Sequence, residues 1–271
     1  MAGEQIQTIE IAGRKLAWRS FGAGHPLLLI NGYAASSVDW DPTFTTALAR
    51  SFSLICPDNR GMGASELGDP AALSIDAMAG DCERLLDALG LERATVVGWS
   101  MGSYVAQRLA TRVPQRVAAL ALLASSPPGP DAVSSEPGVW ERLTDHSGTP
   151  REQATRLLAL LFPPDVARAV DAQFGDVVAE ARAQLSTEAL DAQERALLRW
   201  HAEPQPPPGP DVPSVLVICG SDDVVIPPQN GPLLAERWPG AHVEQIAGGG
   251  HAFMAQEPER VAALIADFAA G

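Results

Sequence analysis

The sequence predicts an α/β protein with a mainly parallel central sheet flanked by helices. Three observations carry that expectation. Short apolar runs recur along the chain without the polar alternation of a half-exposed strand. Helix patterns with one apolar side stand between them. The 271 residues, 46% hydrophobic and 19% charged, are enough to bury a large core.

Taken in order, Ile9 and Ile11 alternate with polar residues, Ala12-Gly13 marks a turn, and Leu16 and Trp18 alternate again. This predicts an N-terminal hairpin. Five buried strands are then expected at Pro26–Ile30, Phe52–Cys56, Ala94–Val97, Val117–Leu123 and Ser214–Ile218, and His242 begins a further one. Between them, Ile75, Met78, Leu85, Leu86 and Leu89 share one side of a helix over Ser74–Leu89, which Gly90 stops. Tyr104, Val105 and Leu109 suggest a helix from Ser100 to Pro114. Leu233, Leu234 and Trp238 suggest another, and Val261, Leu264, Ile265 and Phe268 a last one.

One stretch breaks the alternation. From Pro127 to Pro213 no strand pattern occurs, and helical stretches at Arg151–Leu161, Val166–Phe174 and Glu188–Trp200 are separated by proline clusters. The expected organisation is a core domain over 1–126 and 214–271, with 127–213 inserted as a helical cap. Ordinary sheet-covering helices are the plainer alternative.

Composition closes several branches of function. Nineteen basic residues against 33 acidic ones give a net charge of −14, and Lys15 is the only lysine. Such a surface repels phosphate backbones and anionic lipid, so neither nucleic acid nor a membrane is expected as a partner. Met1–Gln5 lacks the basic start and apolar run of a secretory leader, and the longest apolar stretch, Val117–Ala124, is under half a membrane span. The three cysteines, Cys56, Cys82 and Cys219, are scattered and form no CxxC pair. A disulfide framework or zinc site is therefore unsupported, and a cytoplasmic location is expected.

The chemistry concentrates at Gly98-Trp99-Ser100-Met101-Gly102, where a strand meets a helix. A nucleophile on so sharp a turn leaves room only for glycine two positions to either side. The helix start also offers free N–H groups and a positive dipole end. The plainer reading is a helix N-cap at Ser100. A serine nucleophile needs a base, itself oriented by a third group. Of five histidines, His251 follows Gly248-Gly249-Gly250 on a loop between a strand and the last helix, within reach of the strand ends. The orienting acid should leave a neighbouring strand. Asp222 and Asp223 both follow Ser214–Ile218, and only one of them can hold the histidine.

With these residues in place, nearly the whole chain resembles the α/β-hydrolase fold superfamily, in its esterase, lactonase and cofactor-free haloperoxidase-like branch. The family order of serine, acid and histidine falls on Ser100, Asp223 and His251. Its Gly-x-x-Asp-x-x-x-Pro spacing fits Gly220, Asp223 and Pro227, which favours Asp223 over Asp222. Gly250-His251 and Glu257 match its surroundings of the base. Asp58-Asn59-Arg60-Gly61-Met62-Gly63-Ala64-Ser65 looks like its DxRGxGxS loop, read here as a structural brace. Two departures stand out: Asn31-Gly32-Tyr33 replaces the usual His-Gly, and Ser103 replaces a common glycine. The resemblance implies an oxyanion hole from the backbone N–H groups of Tyr33 and Met101.

The function so implied is hydrolysis of carboxylic esters or lactones of small, largely apolar substrates through an acyl-enzyme. No HExxH, P-loop or dinucleotide signature is present, so neither a metal nor another cofactor is expected. Trp99, Trp140, Phe162 and Trp200, with Phe174, are candidate pocket residues, although aromatic side chains in such places often simply pack. Perhydrolase, C–C hydrolase, acyltransferase and aminopeptidase relatives share the same three residues. A non-catalytic ligand-binding protein on this fold is the alternative from another class. The sequence specifies no oligomeric state.

Overall fold

The computed structural model describes residues 6–271, so the leader reading made on Met1–Gln5 lies outside the described residues. One eight-stranded sheet organises the chain. Its strands are β1 (Ile6–Ile11), β2 (Arg14–Gly22), β3 (His25–Ile30), β4 (Phe52–Pro57), β5 (Ala94–Trp99), β6 (Val117–Leu123), β7 (Ser214–Gly220) and β8 (His242–Ile246). They lie in the order β1-β2-β4-β3-β5-β6-β7-β8. The β1–β2 and β2–β4 pairs are antiparallel and all others parallel. The N-terminal hairpin and the buried strands therefore stand where hydrophobic patterning predicts them.

The helices are α1 (Pro42–Leu48), α2 (Ile75–Ala88), α3 (Met101–Arg112), α4 (Val139–Leu143), α5 (Pro150–Leu161), α6 (Pro164–Ala183), α7 (Thr187–Ala202), α8 (Asn230–Arg237), α9 (Phe253–Gln256) and α10 (Pro258–Ala270). Ser74 caps α2, its hydroxyl accepting from the Ala77 N–H. A reciprocal Thr149–Glu152 capping box opens α5.

The central strands lack polar alternation because both faces of the sheet are covered. Leu28, Ile30, Val96, Leu120, Leu122, Val215 and Val217 point to one side and pack with α2, α3 and α8. Their neighbours Leu27, Leu29, Val97, Ala121, Leu123, Leu216 and Ile218 point to the other and pack with α1, α9 and α10. Side chains of successive residues leave a strand in opposite directions, so an unbroken apolar run feeds two cores.

The segment between β6 and β7 is helical, with α5 packed along α6. Helix α7 does not stand apart from the body. Ala192, Ala196, Leu197 and Trp200 join the core beside α3, and the Trp200 ring stacks on Tyr104 at 5.2 Å. No described helix is long and apolar enough to cross a membrane.

Candidate active site

A single residue, Ser100, separates β5 from α3, and its backbone has φ 54° and ψ −125°. A non-glycine residue held there costs on the order of 1–3 kcal/mol, which the surrounding packing must offset. The flanking glycines are steric requirements. A Cβ at Gly98 would sit 2.3 Å from the Gly102 carbonyl oxygen, and one at Gly102 would sit 2.2 Å from that of Ile30. The Ser100 N–H donates to Leu123 O at 3.0 Å, tying the turn to β6. Ser103, the departure at the common glycine position, donates its hydroxyl to Ser100 O at 2.5 Å. It therefore braces the turn.

His251 and Asp223 meet from two other loops. The imidazole Nδ1 lies 2.9 Å from Asp223 Oδ2, with both side chains buried. Asp223 Oδ1 accepts the N–H groups of Val225 at 2.8 Å and Ile226 at 2.9 Å. The carboxylate is thus fully engaged and its orientation settled. Asp222 is exposed and accepts only from the Ser221 hydroxyl, at 2.7 Å. The Trp99 indole N–H donates to His251 O at 2.9 Å, and the two rings lie 5.2 Å apart, so the histidine loop is fastened beside Ser100. The Ser100 hydroxyl itself makes no hydrogen bond to another described residue.

Two backbone N–H groups on the neighbouring segments are open. Met101 is the first residue of α3, where an N–H has no intrahelical acceptor. In the loop after β3, Gly32 N–H donates to Asn31 Oδ1 at 2.8 Å and Ala34 N–H to Gln193 Oε1 at 3.0 Å. The Tyr33 N–H between them makes no bond among the described residues. Asn31, in place of the usual histidine, clamps this loop by donating from Nδ2 to Ser36 O at 2.7 Å.

A cavity of about 350 Å³ opens on Ser100. Tyr33, Tyr104, Ser126, Trp140, Leu197 and His201 are among its walls, with residues of the 129–143 stretch and Val225 and Ile226. Of the aromatic residues singled out in the sequence, Trp140 lies on this wall. Trp99, Phe162, Phe174 and Trp200 are not among its lining residues. Trp99 holds the histidine loop instead, Phe162 packs against the core beneath it, Phe174 is half-exposed, and Trp200 is buried on Tyr104. Pocket-lining and packing aromatics have the same composition, and only the fold separates them.

Patterning missed several residues at this site. Ser126, Tyr104 and His201 border the cavity, while Gln193 and Glu194 of α7 reach the loop after β3. Ser126 carried one weak signal, as part of Ser125-Ser126 at a strand end. The α7 pair carried none, since both are ordinary polar residues in a helical stretch. Asp58 braces its own turn, Oδ2 accepting from Ala64 N–H at 3.0 Å, and ties it to the loop after β3, Oδ1 accepting from Ser37 N–H at 2.6 Å. All three cysteines are buried and free, and burial pushes the Cys56 and Cys219 thiols up to about 12. Among the described residues, no three His, Cys, Asp or Glu side chains cluster as metal ligands would.

Comparison with known proteins agrees with this architecture. A sequence model of the alpha/beta hydrolase fold matches residues 25–258. RutD of Caulobacter sp. strain K31, named as a candidate carbamate hydrolase, is 30% identical over 253 residues, covering 90% of each chain. The alpha/beta hydrolase fold protein of Chitinophaga pinensis superposes with a TM-score of 0.82 at 25% identity, covering 98% of both chains. The enol-lactonase of Burkholderia xenovorans LB400 shares the fold at a TM-score of 0.81 and 22% identity, over 98% of this chain and all of the other. A match over most of the chain, on a sheet of this order with a serine at its strand-to-helix elbow, places the protein in the alpha/beta hydrolase fold family.

Proposed function

We propose that this protein is a serine hydrolase that cleaves carboxylic esters or lactones of small, largely apolar substrates. The observation that carries the reading is the buried Asp223–His251 pair fastened beside the Ser100 elbow. Asp223 Oδ2 accepts the Nδ1 proton, which leaves Nε2 as the basic nitrogen of the imidazole. His251 Nε2 takes the Ser100 proton as the hydroxyl oxygen attacks the carbonyl carbon. Base-to-nucleophile contacts are commonly loose in the resting enzyme and tighten once substrate is bound. The oxygen that gains charge is held by the Tyr33 and Met101 N–H groups, each such donor contributing on the order of 3 kcal/mol. The leaving alkoxide takes the proton from His251. Water, deprotonated by the same histidine, then releases the acid and restores Ser100.

The cavity supports the substrate class. Its walls include Trp140, Leu143, Leu197, Val225 and Ile226 and carry Glu136 and Glu141 but no Lys or Arg, which favours uncharged groups over carboxylates. The carbamate hydrolase name borne by RutD belongs to the same chemistry, attack on an acyl carbon, so carbamates belong in any substrate panel. No observation favours perhydrolysis or carbon–carbon cleavage over hydrolysis.

Labelling by a fluorophosphonate probe, followed by turnover of p-nitrophenyl esters, lactones and carbamates, tests the reading. Wild type is expected to label and turn over, and Ser100→Ala to do neither. A wild-type protein that neither labels nor turns over would point instead to a ligand-binding role.

A further inference from the structure

We propose that Gln193 and Glu194, successive residues of α7, are positioning residues for the oxyanion donor at Tyr33; this rests on the hydrolase reading above. The loop after β3 has no regular secondary structure and is held by side chains, Asn31 and Asp58 among them, and Ala34 within it has φ +57°. Its three successive amides are arranged differently. Gly32 N–H is taken by Asn31 Oδ1 at 2.8 Å, and Ala34 N–H by Gln193 Oε1 at 3.0 Å, while Tyr33 N–H stays open. The peptide groups on either side of the donor are therefore both pinned, which aims the one between them.

Gln193 is completely buried, and its other end donates from Nε2 to Arg60 O at 3.3 Å. A primary amide bound at both ends cannot rotate to release the loop. Glu194 holds the side chain of the same residue: Oε1 accepts the Tyr33 hydroxyl at 2.5 Å and lies 2.8 Å from His146 Nε2. One turn further along, α7 presents Leu197 and Leu198 to the cavity, and a second turn on, His201. The helix that borders the substrate thus also sets the oxyanion loop. Displacement of a catalytic group by about 1 Å is enough to cost about 10²-fold in rate.

The test compares p-nitrophenyl butyrate with its thionoester, in which sulfur replaces the carbonyl oxygen and fits an oxyanion hole poorly. Fluorophosphonate titration of active sites normalises every rate. Gln193→Leu is expected to lower kcat for the oxygen ester about 10²-fold, with KM little changed. The thionoester rate should fall far less, so the oxygen-to-sulfur ratio of kcat/KM collapses. Glu194→Leu is expected to move the ratio the same way by about tenfold, and Glu194→Gln, which keeps an acceptor for Tyr33, to restore it. An equal fall for both esters, or an unchanged ratio, in a wild type that labels normally would overturn the positioning role and leave the hydrolase reading standing. If Gln193→Leu does not fold, the Glu194 variants decide by the same ratio. A wild type that fails to label would overturn both.

Discussion

Asp222 and Asp223 have the same side chain on neighbouring residues, yet only one is held by the fold. Asp223 receives two backbone N–H groups and the His251 ring, whereas Asp222 meets the Ser221 hydroxyl in solvent. Asp223→Asn replaces an acceptor with an amide that would favour the wrong imidazole tautomer, so turnover should drop by on the order of 10³–10⁴-fold. Asp222→Asn should stay within about twofold, because an exposed hydroxyl contact contributes little. Steady-state kcat on one ester checks both; the reverse ranking would reassign the acid. His201 provides a second test at this scale. Burial lowers its pKa from the ordinary 6.5. Below that value the unfolded chain holds a proton that the folded one resists, so the unfolded state binds more protons there and stability falls as pH falls. Above it the difference vanishes. Melting curves between pH 5 and 8 should show wild type losing more Tm on acidification than His201→Gln, and identical slopes would refute the assignment.

At the scale of elements, α7 reads as an inserted cap helix in the sequence and behaves as part of the main body in the structure. Trp200 is buried and stacked on Tyr104, at an interplanar angle of 17°, within the core that covers one face of the sheet. Trp200→Ala should therefore destabilise the whole protein by about 3–5 kcal/mol. Urea unfolding measures this, and a loss below about 1 kcal/mol would return Trp200 to a peripheral position. Legibility also divides by element. Long periodic segments such as α2, α3 and α10 and the unbroken strands could be read directly. Helices α1, α4 and α9, of seven, five and four residues, span too few turns to display a period. The full length of α6 was hidden as well: its 20 residues continue well beyond Phe174, where the apolar pattern thins.

Across the whole molecule, the crossover topology explains how a site can be assembled from distant segments. In the parallel part of the sheet the strands point the same way, so the loops after β3, β5, β7 and β8 gather at one edge. Ser100, Asp223 and His251 stand on three of those loops and Tyr33 on the fourth. By itself, the sequence determined the strands, their two-sided burial and the glycine-flanked elbow. Each of these depends on neighbours a few residues away, and local sterics and periodicity leave a visible trace. Only the tertiary structure decided which aromatic borders the cavity, and that Gln193 and Glu194 reach back across about 160 positions to the loop after β3. Such contacts arise from packing between elements, where any polar residue on the right face would look the same in the sequence.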